Sequence, residues 1–323
     1  MLRLGLLSTA KINGEILGAA ARSGRVAVSA VASRDASRAE AYAREHGLER
    51  AHGSYDALLG DPEIDAIYVS LPNGPHHEWT MRALEAGKHV LCEKPYSRRP
   101  EDVEEAFALA ERSGLVLMEA FMYRHHPQMR RIPELVAEGA IGRLRSIHAT
   151  FGFLLENAED VRLRPELDGG ALMDVGCYCV SGSRRLAGEP VREQGEQMVG
   201  STGVDLAFHG ALRFSDDVVA QLDASFLVPS RQRLEAVGEE GSIVVESPWR
   251  ADWGVRVLLR RGRGEPEEVA VEAGDMFVLE LENFADAVEG RAPQLLGRDD
   301  ALGQARAIDA LYRAAESGSS VSL

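Results

Sequence analysis

Short apolar runs alternate with helical patterns over residues 1–121. The runs with strand character lie at residues 2–7, 26–32, 64–71, 89–93 and 115–121. The helical patterns between them lie at residues 14–22, 36–46, 54–59, 76–86 and 100–113. Strands rich in Val, Ile and Leu that alternate with helices are typical of a doubly wound parallel sheet covered on both faces. We therefore predict an α/β, Rossmann-type domain over residues 1–121, with ligands bound at the carboxyl ends of its strands.

The pattern changes after residue 121. Short alternating runs, typical of strands joined by close turns, lie at residues 144–153, 205–214, 218–226, 233–238, 242–246 and 255–260. Helical patterns lie at residues 127–138, 276–289 and 299–315, and a further helix is expected after Gly169 and Gly170. Such closely spaced strands predict a large, mostly antiparallel sheet. We expect residues 122–323 to form an α+β domain, with the C-terminal helices packing back toward the first domain.

Composition narrows the function classes. The chain has 323 residues and a formal net charge of -15, which opposes binding to nucleic acid or to an anionic membrane surface. No apolar run approaches the length of a membrane span. The three cysteines, Cys92, Cys177 and Cys179, give neither a disulfide framework nor a convincing metal motif. We expect a cytoplasmic protein that has no metal site and acts on a small molecule.

The first predicted turn, in LGLLSTAKIN at residues 4–13, stands where a dinucleotide fold has its G-x-G-x-x-G motif. The three glycine positions hold Ser8, Ala10 and Asn13. Small side chains still allow backbone N–H groups to face a phosphate, and Ser8 adds a hydroxyl donor. The alternative is an ordinary turn without a ligand. The predicted cofactor-binding residues of this turn are Ser8, Thr9, Ala10, Lys11 and Ile12.

The end of the second strand bears on the choice of cofactor. An NAD-binding fold has an acidic residue about 20 residues after the glycine motif, and Asp35 lies in this region. Ser33 and Arg34 instead offer a hydroxyl and a guanidinium fork that suit a 2′-phosphate, and Arg38 is added to this predicted set. The alternative is that Asp35 caps a helix and Arg34 is a solvated charge. We expect NADP, with NAD less favoured.

Two further loops carry candidate chemistry. LPNGPHHEW follows the next strand and places Leu71, Pro72, Asn73 and His76 at the predicted ligand edge. HVLCEKP ends in Glu93 and Lys94. A lysine at this edge can stabilise negative charge on a reacting oxygen. The alternative for Lys94 is a surface ion pair with Glu93.

GGALMDVGCY, at residues 169–178, supplies the last candidates. Asp174 and Tyr178 are four residues apart and are expected to share a helical face. A neighbouring lysine ammonium lowers the pKa of a phenol, so Tyr178 and Lys94 would make an acid/base pair for hydride chemistry. The alternative is that Tyr178 is a core residue.

Several segments together are similar to the Gfo/Idh/MocA oxidoreductase family. They are PNGPH (72–76), AGKHVLCEKP (86–95), EAFMYRHHPQ (119–128), GAIGRLRSI (139–147) and GGALMDVGCY (169–178). The similarity extends over nearly the whole chain, and AGKHVLCEKP is highly specific. The resemblance implies a Rossmann domain followed by an open-faced β-sheet domain that binds substrate. Because relatives often oligomerise through this sheet, we expect a homodimer or homotetramer.

By position, the resemblance implies that Lys94 is the catalytic lysine and that Asp174 is the substrate-side aspartate. Tyr178 stands where the family often has a catalytic histidine. This is similar to the branch with dimeric dihydrodiol dehydrogenases and NADP-dependent D-xylose dehydrogenases, in which tyrosine is the proposed acid/base. The same branch has MEAFMYR, which makes Tyr123 and Arg124 candidate substrate-binding residues. Asn73 and His76 match the nicotinamide-side loop, and Glu93 matches the glutamate beside the lysine.

These observations favour an NADP-dependent oxidoreductase that moves a hydride between nicotinamide and a carbinol or carbonyl carbon. The expected substrate is a sugar, a polyol or a cyclic diol. A sugar ketoreductase of the same family is one alternative, and a non-catalytic NADP-binding sensor is another. A metal-dependent hydrolase that uses His76, His77, His125 and His126 is disfavoured because these residues form no coherent ligand set.

Overall fold

The computed structural model describes all 323 residues and divides into two compact units. Unit 1 comprises Met1–Met122 and Asp275–Leu302, and unit 2 comprises Tyr123–Gly274 and Gly303–Leu323. Unit 1 is therefore built from two separate stretches of the chain.

A six-stranded parallel sheet forms the centre of unit 1. Its strands are β1 (Leu2–Leu6), β2 (Val26–Ala32), β3 (Arg50–His52), β4 (Ala66–Val69), β5 (His89–Glu93) and β6 (Leu117–Ala120). The order across the sheet is β3-β2-β1-β4-β5-β6, so the order reverses between β1 and β4. This reversal is the switch point at which doubly wound folds bind ligands. The predicted Rossmann sheet is confirmed, although β3 was not predicted.

Five helices connect these strands. They are α1 (Asn13–Ser23), α2 (Ala36–His46), α3 (Tyr55–Leu59), α4 (His76–Glu85) and α5 (Pro100–Ser113). Capping side chains and glycines set the ends of these helices. The Asp35 carboxylate accepts from two backbone N–H groups at the start of α2, and Gly24 ends α1 in a left-handed conformation. Each helix therefore starts close to the carboxyl end of the strand before it.

Unit 2 contains a nine-stranded mixed sheet. Its strands are β7 (Leu144–Leu154), β8 (Pro190–Val199), β9 (Asp205–Phe214), β10 (Val219–Ser225), β11 (Leu227–Gly238), β12 (Gly241–Val245), β13 (Val257–Arg261), β14 (Glu267–Glu268) and β15 (Val321–Ser322). The order is β14-β13-β12-β11-β7-β10-β9-β8-β15. Only β7 and β10 pair in parallel, so the prediction of a mostly antiparallel sheet is confirmed. The polar strand β8 was not predicted.

Two helices of unit 2 follow the candidate motifs, namely α6 (Pro127–Ala137) and α7 (Cys177–Ala187). A π-helical turn, Leu172–Gly176, leads directly into α7, so the helix expected after Gly170 begins with a wider turn than an α-helix. α7 packs on β7 and β10. Gly182 makes close packing possible, because a Cβ there would lie 2.6 Å from Cη2 of Trp249.

Two helices, α8 (Met276–Val288) and α9 (Arg298–Ser317), lie between β14 and β15. The Asp275 carboxylate caps α8, which belongs to unit 1 and packs against α1. Phe277, Leu281 and Phe284 of α8 are buried. None of the helices combines the length and the apolar character that a bilayer span requires.

Candidate active site

A cavity of about 340 Å³ opens at the carboxyl ends of β1, β2 and β4, at the switch point of the parallel sheet. Eight of the predicted cofactor residues line it: Ser8, Thr9, Ala10, Ser33, Arg34, Arg38, Leu71 and Pro72. Asp35, Tyr55 and Ser70 complete the lining and were not predicted. Lys11, Ile12, Asn73, His76, Glu93 and Lys94 do not line this cavity. Its size and its two guanidinium groups suit the phosphate-bearing part of a dinucleotide.

Side chains hold the first turn in shape where a dinucleotide fold has glycines. Ser8 has φ +155°, at the edge of the region that favours glycine. Its Oγ donates to the carbonyl oxygen of Ser70 at 3.0 Å and accepts from the N–H of Ala10 at 3.1 Å. The amide Nδ2 of Asn13 donates to the carbonyl oxygen of Ser8 at 2.8 Å. The Ser8 hydroxyl thus bonds within the protein, and the backbone N–H groups of the turn are the donors that we expect to face a phosphate.

The charged side chains at the end of β2 have two roles, capping α2 and lining the cavity. Asp35 accepts from the Ser37 hydroxyl at 2.7 Å, from the N–H of Arg38 at 3.3 Å and from the N–H of Ser37 at 2.9 Å, and these bonds lower its pKa, with the Ser37 hydroxyl the largest cause. The carboxylate thus caps α2, as the alternative interpretation of Asp35 held. Arg34 and Arg38 line the cavity beside Asp35 and supply cationic donors at the end of β2.

His76 connects the loops that follow β4 and β5. The ring is fully buried, with Nδ1 3.0 Å from the carbonyl oxygen of Pro95 and Nε2 2.8 Å from that of Leu71. Burial lowers the pKa of His76, and the charge of Lys94 lowers it further. A neutral imidazole donates to only one of the two carbonyl groups. His76 thereby fixes the loop that precedes α4 relative to Pro95, the residue after Lys94.

Lys94 follows the last residue of β5, at the same edge of the sheet as the cavity. The Tyr68 hydroxyl, which is fully buried, donates to Oε1 of Glu93. The backbone N–H of Lys94 donates to Oε2 of the same carboxylate at 3.3 Å. The Glu93 carboxylate is thereby tied to a buried hydroxyl on β4, which fixes the backbone that carries Lys94.

Tyr178 lies in an aromatic cluster of unit 2. The side chain is 5% exposed, and its ring centroid is 5.4 Å from that of Phe151, 5.5 Å from Tyr123 and 6.1 Å from Trp249. Trp249 is fully buried and donates from Nε1 to the carbonyl oxygen of Thr150 at 2.9 Å. Rigid aromatic neighbours on several sides restrict the phenol to one orientation.

Tyr123 and Arg124 meet at one hydroxyl of α7. Tyr123 is fully buried and donates to Oγ of Ser181 at 2.7 Å, and Nη1 of Arg124 lies 3.1 Å from the same oxygen. The structure thus brings Tyr123, Arg124 and Tyr178 together around α7. Ser181 was not predicted, since a serine inside a helical pattern gives no signal in the sequence.

Asp174 lies in the π-helical turn and is bound by Arg162, a residue that sequence reasoning missed. Arg162 donates from Nε to Oδ2 of Asp174 at 2.6 Å and from Nη1 to Oδ1 of Asp160 at 3.2 Å. These two carboxylates raise the pKa of Arg162, with Asp174 the larger cause. The sequence separation of twelve residues matches no helical or strand spacing, so no local pattern predicts this pair.

Asp205 holds the start of the π-helical turn. Its carboxylate accepts from the N–H of Leu172 at 2.7 Å and from the hydroxyl of Tyr312 at 2.9 Å. Burial raises the pKa of Asp205 to about 6, against the opposite effect of these hydrogen bonds. Gly170 has φ +124°, and a Cβ there would lie 2.1 Å from Oδ1 of Asp205. A buried acid and a glycine therefore set the position of the segment that carries Asp174.

The histidines considered as metal ligands have other surroundings. Nδ1 of His77 lies 3.0 Å from the Tyr96 hydroxyl, whereas both nitrogens of His76 face carbonyl oxygens. The His126 ring accepts from the N–H of Gln128 and so caps α6. No group of three or more His, Cys, Asp or Glu side chains is arranged to hold a metal ion.

Comparison with known families gives the same architecture. The model of the oxidoreductase family with an NAD-binding Rossmann fold matches residues 5–121, and the model of the GFO/IDH/MocA C-terminal domain matches residues 129–244. The chain belongs to the Gfo/Idh/MocA oxidoreductase family. The family and the oxidoreductase class inferred from the sequence are confirmed.

Individual relatives cover the whole length of the chain. The D-xylose 1-dehydrogenase (NADP(+)) 2 of Haloferax volcanii is 37% identical over 322 residues, which is 99% of both chains. The crystal structure of the 3-ketoreductase KijD10 of Actinomadura kijaniata with NADP and TDP-benzene has a TM-score of 0.91, 32% identity and 97% coverage of both chains. The aldose-aldose oxidoreductase of Caulobacter crescentus, in complex with glycerol, has a TM-score of 0.92 and 26% identity, and covers 100% of this chain and 99% of that one.

Proposed function

We propose that this protein is an NADP-dependent oxidoreductase that transfers a hydride between nicotinamide and a carbinol or carbonyl carbon of a sugar, polyol or cyclic diol. The observation that carries the proposal is the cavity at the switch point, where Arg34 and Arg38 line the wall and the Asp35 carboxylate is occupied in capping α2, with Lys94 at the same sheet edge. The relative from Haloferax volcanii is an NADP(+)-dependent xylose dehydrogenase, and KijD10 was crystallised with NADP. Both support this choice of cofactor.

NADP would be held along the carboxyl edge of the parallel sheet. The turn from Ser8 to Ile12 would bind the pyrophosphate through its backbone N–H groups, and Ser33, Arg34 and Arg38 would bind the 2′-phosphate. The loop that contains Leu71, Pro72, Asn73 and His76, together with Glu93 and Lys94, would face the nicotinamide side. When bound, NADP supplies the carbon that accepts or donates the hydride.

Two side chains would handle the proton of the reacting oxygen. The Lys94 ammonium would donate a hydrogen bond to this oxygen and stabilise its negative charge as the hydride leaves the carbon. In the oxidative direction the phenolate oxygen of Tyr178 would accept the hydroxyl proton, and in the reductive direction the neutral phenol would return it. Asp174, Tyr123 and Arg124 would position the other hydroxyl groups of the substrate.

The ketoreductase KijD10 gives specific support to one alternative, a sugar ketoreductase that works in the reductive direction. The same residues serve both directions, so the assay must be run both ways. A non-catalytic NADP sensor is disfavoured because the chain keeps Lys94, Asp174 and Tyr178.

We further infer a cytoplasmic homodimer or homotetramer that associates through the nine-stranded sheet. All three cysteines are free and buried, as expected in a reducing compartment. Met198 of β8 and Leu227 of β11 are 57% and 46% exposed, which gives the sheet apolar positions for a partner subunit to cover. The mass of the purified protein from light scattering tests the oligomeric state.

The function is tested by following nicotinamide absorbance with a panel of aldoses, polyols, inositols and cyclic diols, first with NADP and then with NAD. We expect turnover with NADP on one substrate class, and ketosugars with NADPH test the reverse reaction. Lys94→Ala is expected to lower kcat at least a hundredfold while NADP affinity changes less than threefold. Tight NADP binding without turnover in either direction would refute the enzyme proposal in favour of the sensor.

A further inference from the structure

The segment that leads into the π-helical turn is acidic. Residues 155–168 contain five carboxylates and two guanidinium groups. One of the two, Arg162, lies within a short 3-10 helix, Val161–Leu163, whose start is capped by the Asp160 carboxylate at 3.0 Å from the Arg162 N–H. Arg162 thus has a fixed backbone in a segment that would otherwise repel anions.

The Arg162 guanidinium is fixed on two of its three nitrogens. Nε donates to Asp174 and Nη1 donates to Asp160, whereas Nη2 makes no hydrogen bond to the protein. The Arg162 side chain is 40% exposed, and those of Asp160 and Asp174 are 20% and 16% exposed. The guanidinium carbon lies 5.7 Å from the centre of the Phe153 ring, which limits its movement further. Nη2 is therefore an oriented donor that is still available to a ligand.

We propose that Arg162 is a substrate-binding residue that donates from Nη2 to a substrate hydroxyl. The inference rests on the proposed function and adds a substrate-binding residue to it. Arg162 also fixes the orientation of the Asp174 carboxylate, so the two side chains would bind the substrate together.

The hydrogen-bonding groups of Arg162 and Asp174 suit a diol. One substrate hydroxyl would accept from Nη2 of Arg162, and a second hydroxyl would donate to the Asp174 carboxylate. Because Nε and Nη1 of Arg162 are already bound to carboxylates, Nη2 keeps its direction toward the ligand.

The test measures KM and kcat for the neutral substrate identified by the panel in wild type, Arg162→Met, Arg162→Lys and the control Arg164→Met. Arg164 belongs to the same segment and has only a loose ion pair with Glu159 at 3.8 Å. We expect Arg162→Met to raise KM for the substrate roughly 10–100-fold, since a hydrogen bond from a charged donor is lost, with less than threefold change in KM for NADP. Arg162→Lys, which lacks the fork, should recover only part of this loss. The thermal midpoint of each variant shows that it is folded.

A folded Arg162→Met with wild-type KM would overturn the inference and leave the proposed function standing. Failure of the wild type to turn over any compound of the panel would overturn the proposed function itself.

Discussion

Asn13 stands where the dinucleotide motif has its third glycine, and its amide donates to the carbonyl oxygen of Ser8, which stands at the first. Asn13 is fully buried, so this bond is shielded from water. The turn consequently keeps its shape through two polar side chains and not through the absence of side chains. Its sequence looks unlike a cofactor turn for this reason, although Ser8, Thr9 and Ala10 of the turn line the cavity beside it.

Asn13→Ala should weaken both the turn and cofactor binding. The variant loses the hydrogen bond to Ser8, which typically costs about 1–2 kcal/mol when buried. For a chain of this size we expect the thermal midpoint to fall by about 3–6 °C and the Kd of NADP to rise several-fold. Calorimetry and fluorescence titration with NADPH measure the two effects. An unchanged Kd in the folded variant would show that the side chain has no part in shaping the site.

The π-helical turn Leu172–Gly176 is the element on which the substrate side depends. Asp205 binds its first N–H group, Tyr312 binds Asp205, and Gly170 leaves space for the carboxylate. A helix that begins in this way places Asp174 beside Arg162. Because π-helical turns cost stability in isolation, the surrounding hydrogen bonds are what maintain this one.

Gly170→Ala should disrupt this element. A methyl group there would lie 2.1 Å from Oδ1 of Asp205, at a backbone φ of +124° that alanine rarely adopts. We expect the free energy of unfolding to fall by more than about 3 kcal/mol. We also expect KM to rise more for the substrate than for NADP. Gly203→Ala is the control, because Gly203 also has a positive φ, +95°, but no atom lies within 4 Å of its added Cβ. Equal effects of the two substitutions would contradict the role given to Asp205.

Regular elements could be predicted from the sequence where one periodicity dominates. The apolar strands β1, β2, β4, β5 and β6 were recognised because they are buried on both faces. β3 has only three residues, and β8 carries Arg192, Glu193 and Gln194 in succession, so neither shows an apolar pattern. Of the site, the lining positions next to strand ends were predictable. Asp205 and Trp249 were not, since their partners lie far along the chain, and Arg162 was not, since its twelve-residue separation from Asp174 matches no helix or strand spacing.

The whole molecule carries a buried carboxyl group that opposes its stability. Glu193 of β8 is fully buried, and neither of its carboxylate oxygens has a hydrogen-bond partner. Burial raises its pKa to about 9. Arg184 has the opposite effect, while Asp309 and Glu189 add to the rise. The side chain therefore retains its proton in the folded state at neutral pH, whereas the unfolded chain releases it.

Glu193→Gln should stabilise the protein in a pH-dependent way. Between the unfolded pKa of about 4.3 and the folded pKa of about 9, unfolding releases a proton, so wild-type stability falls as pH rises, by up to about 1.4 kcal/mol per pH unit. The variant lacks this titration. Thermal midpoints measured from pH 5 to pH 9 should therefore show a growing advantage of the variant at higher pH.

Glu196→Gln is the matched control for this measurement, because Glu196 is an exposed residue of the same strand. Its midpoint should follow that of the wild type at every pH. A constant difference between Glu193→Gln and the wild type across the pH range would contradict protonation of Glu193 in the folded state.

The two-part construction of unit 1 has a consequence for the order in which the chain can mature on the ribosome. The six parallel strands leave the exit tunnel first, but α8, which covers α1, is made only after most of unit 2. Until then α1 lacks the helix that packs against it. We therefore expect the Rossmann unit to stay incomplete during synthesis until α8 has left the tunnel, and a truncated chain that ends before α8 to aggregate more than the full chain.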